Sequence, residues 1–228
     1  MLKLYLNIPF SEKEIAKSLG AKWDSVRKSW YYHGEAENYI NFAKWIFNYE
    51  EKEGTLIICD YFYILESYQT CWKCKEKTIV VGLGLEKFIE LYYLYEEPIN
   101  YEVELHGFKN EREVRVTWND NEKDIPKSIL EYLKNNYNVK TDISKIIGVT
   151  FANHCQRCNA LQENYYLFGY PGSPFFPVGN QYEIIDSLQN INLKKIMLDE
   201  NLKFNCTLSC GSNDGMFLDY CDIKTIKF

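Results

Sequence analysis

The chain has 228 residues and a formal net charge of −6; 46% of its residues are hydrophobic and 16% are aromatic. This composition excludes a disordered protein, and the length is enough for one domain or for a small module and a larger one. The negative charge argues against DNA or RNA binding through an overall positive field, although a local basic patch stays compatible with it. The sequence shows neither a signal peptide nor an apolar run of about 18 residues, so we expect a cytoplasmic protein, with no membrane partner and reduced cysteines.

Residues 1–49 are predicted to form a small module with the order β-α-β-α. LKLYLN alternates as a strand does. Ser11 opens SEKE, which predicts a capping box with Glu14, and Gly20 is expected to end that helix in the left-handed conformation. KWDSVRKSWYY predicts a turn and a second strand, and AENYINFAKWIF predicts an amphipathic helix. The residues expected to face inward are Ile15, Ala16, Leu19, Tyr39, Phe42, Ala43 and Ile46.

The segment LYLNIPFSEKEIAKSLGAKWDSVRKSWYY resembles a short bacterial domain of unknown function with the pattern LNVPF-x-EK-x-x-AK-x-LGA-x-WD-x-x-x-K-x-WY. The residues in register are Leu19-Gly20-Ala21, Trp23-Asp24, Lys28 and Trp30-Tyr31. The resemblance covers about the first fifth of the chain. That domain is found alone and beside plasmid primases and other mobile-element DNA enzymes. The resemblance therefore implies an association with DNA-handling proteins, and it implies no activity.

A basic hairpin in this module is a candidate contact surface for nucleic acid or another partner. Trp23 and Trp30 bracket the turn of this hairpin, which carries the basic residues Lys22, Arg27 and Lys28. Aromatic and basic side chains together suit base stacking and phosphate contact. The alternative, favoured by the small size of the module, is that both tryptophans pack its core and the basic residues are solvated.

The charged run at residues 50–53 is the predicted boundary, and residues 54–228 are predicted to form an α+β domain. This body is expected to be mostly antiparallel β with few helices. TLIICDYFYIL predicts a buried strand, and EREVRVTW and KIIGVTFAN predict two more. PKSILEYLKNNY predicts a helix with Pro126 near its first turn. YEIIDSLQ and INLKKIML are each compatible with a helix or a short strand.

Two Cys-x-x-Cys pairs, Cys71/Cys74 and Cys155/Cys158, predict a structural Zn²⁺ site in this body. Two residues between cysteines let both thiolates face one tetrahedral ion, and two pairs complete a four-cysteine site. The pairs are separated by 80 residues, so the site would join distant parts of one domain. Thioredoxin-like redox chemistry is the weaker alternative, because it needs one pair at the start of a helix. We predict a split, zinc-ribbon-like site that organises the body.

The cysteine motifs also carry a second resemblance. CWKC followed by a T-x-V-V strand, and Asn153-His154-Cys155-Gln156-Arg157-Cys158-Asn159-Ala160-Leu161-Gln162, resemble uncharacterised bacterial proteins with a split CxxC…CxxC zinc site. This resemblance implies a zinc site and no function. His154 adjoins the second pair, where it is expected near the metal ligands or at the surface rather than as a ligand.

The remaining cysteines are expected to pack as small hydrophobic residues. Cys59 lies in an apolar run. Cys206, Cys210 and Cys221 lie near Asp214, Asp219 and Asp222; a second metal site there is the less favoured alternative to core packing.

Catalytic motifs are scarce: the chain has three histidines and no P-loop, GxSxG or HExxH motif. The sequence favours a non-catalytic zinc-stabilised protein that binds protein or nucleic acid, from a mobile element or a defence locus. A nucleic-acid accessory module is the first alternative, and an enzyme with an acidic C-terminal site is the second.

Overall fold

A computed structural model describes residues 2–47, 54–94, 100–109, 112–208 and 213–227. Within these ranges the protein is a mixed α+β structure with four β-sheets, and its strands pair mostly antiparallel. No helix in the described ranges is long and apolar enough to cross a bilayer. The predictions for the run at residues 50–53 and for Cys210 lie outside the described residues.

The N-terminal part is a three-stranded antiparallel sheet of order β1-β3-β2 with two short helices. Its elements are β1 (Leu4–Leu6), α1 (Lys13–Ser18), β2 (Lys22–Asp24), β3 (Ser29–Tyr32) and α2 (Ala43–Ile46). Each helix follows a 3₁₀ turn, at Phe10–Glu12 and at Ala36–Phe42. The order is therefore β-α-β-β-α, because KWDSVRKSWYY forms a hairpin of two strands where a turn and one strand were predicted.

Ser11 and Glu14 do not form the predicted capping box. Ser11 lies inside the 3₁₀ turn, so α1 starts at Lys13 without a side-chain cap. The Glu14 carboxylate instead accepts a hydrogen bond from Lys17. Ile15 is exposed, because this two-turn helix rests on the sheet mainly through Ala16. Leu19 is exposed as well, whereas Gly20 has the predicted left-handed backbone, with φ +98°.

The body contains a six-stranded, a four-stranded and a three-stranded sheet, of orders β15-β9-β6-β5-β13-β16, β14-β4-β7-β8 and β10-β11-β12. The strands are β4 (Thr55–Ile58), β5 (Tyr61–Thr70), β6 (Lys77–Leu85), β7 (Phe88–Leu94), β8 (Asn100–His106), β9 (Arg115–Trp118), β10 (Val139–Ser144), β11 (Gly148–His154), β12 (Leu161–Gln162), β13 (Asn192–Met197), β14 (Leu202–Asn205), β15 (Thr207–Leu208) and β16 (Asp222–Lys227). The helices are α3 (Lys127–Asn136), α4 (Gln181–Gln189) and α5 (Phe217–Tyr220). Strands β13 and β16 pair in parallel.

Local chemistry explains two features that the sequence left open or predicted differently. TLIICDYFYIL forms two strands, because the chain turns at Asp60 (φ +63°) and passes from the four-stranded to the six-stranded sheet. Asn180 and Glu183 form a capping box, so YEIIDSLQ is the helix α4, and NLKKIM is the strand β13.

The central strands β5 and β6 are buried on both faces. Phe62 and Ile64 belong to one hydrophobic cluster with α3, and their neighbours Tyr63 and Leu65 belong to a second cluster on the opposite face. This explains the continuous apolar run of their sequences, since a strand that is covered on one face alternates instead.

The N-terminal sheet shares its hydrophobic core with the four-stranded sheet of the body. One cluster contains Phe42 and Trp45 together with Ile57, Ile89 and Leu91. Both parts are therefore joined by apolar packing.

Candidate metal centre and N-terminal surface

Both Cys-x-x-Cys pairs lie in loops that close β-hairpins. Strands β5 and β6 pair as far as Thr70 and Lys77, and β11 and β12 pair as far as His154 and Leu161. Each hairpin is closed by a loop of six residues that begins with the first cysteine, at 71–76 and 155–160. Two sequence-distant hairpins therefore present the same type of loop.

The two loops share their internal hydrogen bonds. The backbone N–H of the first cysteine donates to the carbonyl of the sixth residue, over 2.8 Å from Cys71 to Glu76 and 2.9 Å from Cys155 to Ala160. The fifth residue is left-handed in both, with φ +64° at Lys75 and +56° at Asn159. Its N–H donates back to the carbonyl of the first cysteine, over 3.0 and 2.9 Å. These backbone hydrogen bonds hold the positions of the sulfur atoms and do not involve the side chains of the second and third residues.

The four cysteine sulfurs meet where the loops face each other. All four Sγ atoms lie within 4.8 Å of one another. The Cys71–Cys158 distance is 3.6 Å and the Cys74–Cys155 distance is 3.7 Å. Four thiolates at about 2.3 Å from one tetrahedral ion would be about 3.8 Å apart, whereas a disulfide needs about 2.05 Å. The cluster is therefore a set of free thiols whose spacing can hold a metal ion.

Backbone amides favour the thiolate form of the first cysteine in each pair. Burial raises the pKa of Cys155, but the N–H groups of Cys158 and Arg157 bond its sulfur and bring the pKa to about 6. Burial also raises the pKa of Cys71, and backbone N–H groups lower it; the net result is a lowered pKa. The thiolate is the form that ligates metals, so these loops suit that chemistry.

Amide side chains around the cluster fix the two loops to each other. Gln162 donates to the sulfur of Cys71 (3.6 Å) and accepts from Gln69 (2.7 Å). The side-chain oxygen of Gln156 accepts from the Ile79 N–H and from the Thr78 hydroxyl, each at 2.9 Å. Sequence reasoning had assigned no role to these glutamines. The signal that marks Gln156 and Gln162 is an amide side chain within or just after the second Cys-x-x-Cys loop.

His154 is not part of the cysteine cluster. Its side chain is fully buried, Nδ1 lies 3.0 Å from the carbonyl of Ala152, and Nε2 lies 3.0 Å from the Asp142 carboxylate. Both ring nitrogens therefore lie beside oxygen atoms of strands β10 and β11. The hydrogen bond from His154 in turn lowers the pKa of Asp142.

The C-terminal cysteines do not gather into a site within the part of the chain that the structure describes. Cys206 belongs to one hydrophobic cluster, and Cys221 packs against another on the opposite face of the six-stranded sheet. Burial raises the pKa of both thiols to about 12. Asp214 is buried with its carboxylate 3.7 Å from Arg115. Over the described ranges, the four-cysteine cluster is the one group of three or more side chains placed to hold a metal ion.

The N-terminal hairpin displays the predicted aromatic pair at its surface. Trp23 and Trp30 meet edge to face with ring centroids 5.4 Å apart. Trp23 is 52% exposed, whereas Trp30 is partly buried against the core of the module. That core is built from other aromatic residues, Tyr32, Tyr39, Phe42 and Trp45.

The basic residues of this hairpin have different surroundings. Lys22 and Lys28 are exposed, and Lys28 is left-handed, with φ +51°. Arg27 forms an ion pair with Glu200 of the body (2.6 Å) and lies over the Tyr5 ring. Two of the three predicted cations are thus directed to solvent, while Arg27 also bridges the hairpin to the body.

Comparison with known proteins finds similarity over a short part of the chain. Residues 3–46 match the family model described as a domain of unknown function, DUF5710. Two DNA primases TraC of Escherichia coli are similar to this segment: one is 49% identical over 41 residues and the other 44% identical over 43 residues. These matches cover 18% and 19% of the chain and 3% and 4% of the primases. No solved structure matches the chain.

Proposed function

We propose that this protein is a non-catalytic binding protein whose body is organised by a structural Zn²⁺ ion. Cys71, Cys74, Cys155 and Cys158 would hold the ion in a zinc-ribbon-like site. The observation that carries the proposal is the approach of four thiols from two hairpin loops with the same hydrogen-bond pattern. A bound ion would cross-link these hairpins.

The ligand set supports a structural rather than a catalytic role. Four cysteines fill a tetrahedral shell, whereas catalytic zinc sites keep one position for water or substrate. Binding to such a site contributes on the order of 10 kcal/mol to folding. We infer that the metal holds the hairpins in place and that function resides in the surfaces they present.

Metal analysis of the purified, untagged protein tests this proposal. We expect about one zinc per chain, and Cys→Ser at any of the four positions should lower both zinc content and melting temperature. Cys221→Ser is the matched control, because Cys221 is not part of the four-cysteine group and packs against a different hydrophobic cluster. Full zinc content and unchanged melting in all four variants would refute the proposal.

We propose nucleic-acid binding by the N-terminal hairpin as a second function. Its support is the half-exposed Trp23 beside the exposed Lys22 and Lys28. Residues 2–47 contain seven basic and five acidic side chains, in a chain of net charge −6. The similarity of this segment to part of two DNA primases agrees with such a role. In this proposal residues 1–49 act as an accessory module on the body, residues 54–228, of a cytoplasmic protein from a mobile element or a defence locus.

Substitution of the exposed tryptophan tests this second function. Trp23→Ala should weaken binding of an oligonucleotide about 5-fold or more, because it removes a stacking surface. Val26→Ala is the control on the same hairpin, since Val26 is 91% exposed and carries neither a ring nor a charge. Equal affinities of the two variants would exclude this surface.

A further inference from the structure

A groove of about 420 Å³ opens beside the cysteine cluster, at the loop between β5 and β6. Trp72, Ile143 and Tyr166 supply apolar walls, and Gln69 and Lys145 supply polar groups. This volume lies in the range of small-ligand sites and is large enough for a nucleobase. The groove is apolar and has a cation at its edge.

The aromatic walls are held in place although they are exposed. Trp72 is 60% exposed, yet its Nε1–H donates to the carbonyl of Leu161 over 2.8 Å. Tyr166 contacts the rings of Tyr165 and Tyr170, with centroids 5.3 and 5.8 Å away. All three tyrosines are about half exposed. Fixed aromatic faces of this kind bind flat rings at a low cost in conformational entropy.

Exposed cations lie in the segment that carries Trp72 and in the groove itself. The first cysteine loop and the start of β6 expose Lys73, Lys75 and Lys77, and Lys145 lines the groove itself. The carboxylate of Glu163 at the groove is engaged by the Ser144 hydroxyl, over 2.6 Å. These four lysines outnumber the two carboxylates of the same segments, Glu76 and Glu163, and Glu76 is paired with Arg157, so the surface favours an anionic partner over a neutral one.

We propose that this groove binds single-stranded nucleic acid. One base stacks on Trp72 and Tyr166, and the neighbouring phosphates contact Lys73 and Lys145. The proposal rests on the proposed zinc site, because the ion would hold the loop that carries Trp72. A duplex is not the expected ligand, since its bases are already stacked and cannot enter a groove of this size.

Fluorescence anisotropy with a labelled single-stranded oligodeoxythymidylate of about 15 nucleotides tests the proposal. Trp72→Ala should raise the Kd about 10-fold, because base stacking on one aromatic ring is lost. The double variant Lys73→Ala/Lys145→Ala should lower the slope of log K against log salt by about 1.4, the value for two lost phosphate contacts on a single strand. Tyr166→Ala gives an independent measure of stacking, since it lies outside the cysteine loops.

The controls separate this proposal from the two made above. Lys127→Ala/Lys224→Ala removes the same charge from exposed positions elsewhere and should leave the salt slope unchanged. Zinc content is measured on every variant, so loss of the metal is distinguished from loss of the groove. Binding that depends on Trp23 and not on Trp72 or Tyr166 would overturn the proposal. Undetectable binding by the zinc-loaded protein at low salt would overturn it as well.

Discussion

The side chain of Asn153 pairs with the backbone of Val81 as a neighbouring β-strand would. Its Oδ1 accepts from the Val81 N–H (2.8 Å) and its Nδ2 donates to the Val81 carbonyl (2.9 Å). Strand β9 pairs with β6 at residues 83–85, so this edge of β6 is open to other partners at Val81. Gln156 binds the N–H of Ile79, two residues further along the same edge. Side chains flanking Cys155 thus continue the sheet where β9 ends.

Asn153→Ala should therefore be strongly destabilising. The substitution leaves the buried N–H and carbonyl of Val81 without partners, which costs about 2–4 kcal/mol of unfolding free energy. Urea denaturation measures this loss. Asn136→Ala is the control, because Asn136 is exposed and donates to a carbonyl within its own helix. A loss at Asn153 no larger than that at Asn136 would show that water replaces the amide.

Lys75 and Asn159 occupy equivalent left-handed positions, but substitution by glycine should change the unfolding free energy differently at the two positions. A left-handed backbone costs a lysine about 1–2 kcal/mol, which glycine avoids. Lys75→Gly should therefore raise the unfolding free energy by about 0.5–1 kcal/mol, after the greater entropy of glycine in the unfolded chain is subtracted.

Asn159→Gly serves as the matched comparison for that variant. Asparagine tolerates the left-handed region, and its side chain also accepts from Asn138 (3.2 Å). We expect the Asn159→Gly substitution to leave the stability unchanged or to lower it slightly. Thermal melting of both zinc-loaded variants measures the difference; equal shifts would mean that the strain at Lys75 is relieved elsewhere.

Asp60 should make stability depend on pH. Burial raises its pKa, but hydrogen bonds from Lys87 (2.5 Å) and the Leu2 N–H (2.9 Å) outweigh this and leave the pKa lowered. A carboxylate with a depressed folded-state pKa stabilises the fold above its unfolded value, about 3.9, and this stabilisation is lost as the pH falls through the folded value.

Asp60→Asn isolates this effect, because asparagine keeps the left-handed backbone and loses the charge. At pH 7 we expect a loss of about 1–2 kcal/mol, which shrinks as the pH falls towards 3. Urea denaturation at pH 7, 5 and 3 measures it, with the exposed Asp186→Asn as control. A constant difference between wild type and Asp60→Asn across this range would contradict the charge pairing.

Ile89→Ala tests the shared core of the module and the body. Ile89 is fully buried in the cluster that contains Phe42 and Trp45, so the substitution should cost about 2–5 kcal/mol. Because both parts lose contacts together, calorimetry should show one transition at a lower temperature. The exposed Ile143→Ala should change stability by less than about 0.5 kcal/mol. Two separate transitions would show that the parts unfold independently.

The sequence predicts those features whose cause is local or chemically specific. The α+β class followed from the alternation of apolar and polar residues in strands and from the helical periodicity of other segments. Gly20 follows its helix as predicted, because a left-handed cap favours glycine. The approach of Cys71/Cys74 to Cys155/Cys158 followed from ligand number and spacing, although 80 residues separate the pairs.

Other features depend on contacts that a sequence pattern does not contain. The capping box at Ser11 gave way to a 3₁₀ turn, where the neighbouring Glu12 side chain accepts from Trp45 over 2.6 Å. The bend at Asp60 divides a continuous apolar run, because its two halves join different sheets. The pairing of Asn153 with Val81 joins residues 72 positions apart, and no local rule selects that partner.

The separation of the two cysteine loops also affects how the protein is made. During synthesis, Cys155 follows Cys74 by 81 residues, which takes about 4–16 s at common ribosomal rates. Over this interval only two of the four thiols of the site, Cys71 and Cys74, are available to a metal ion. The hairpin of β5 and β6 would therefore be exposed without the proposed metal cross-link until the second loop has left the ribosome. Binding of the proposed Zn²⁺ would therefore complete the site late, after strands β1 to β11 have been translated.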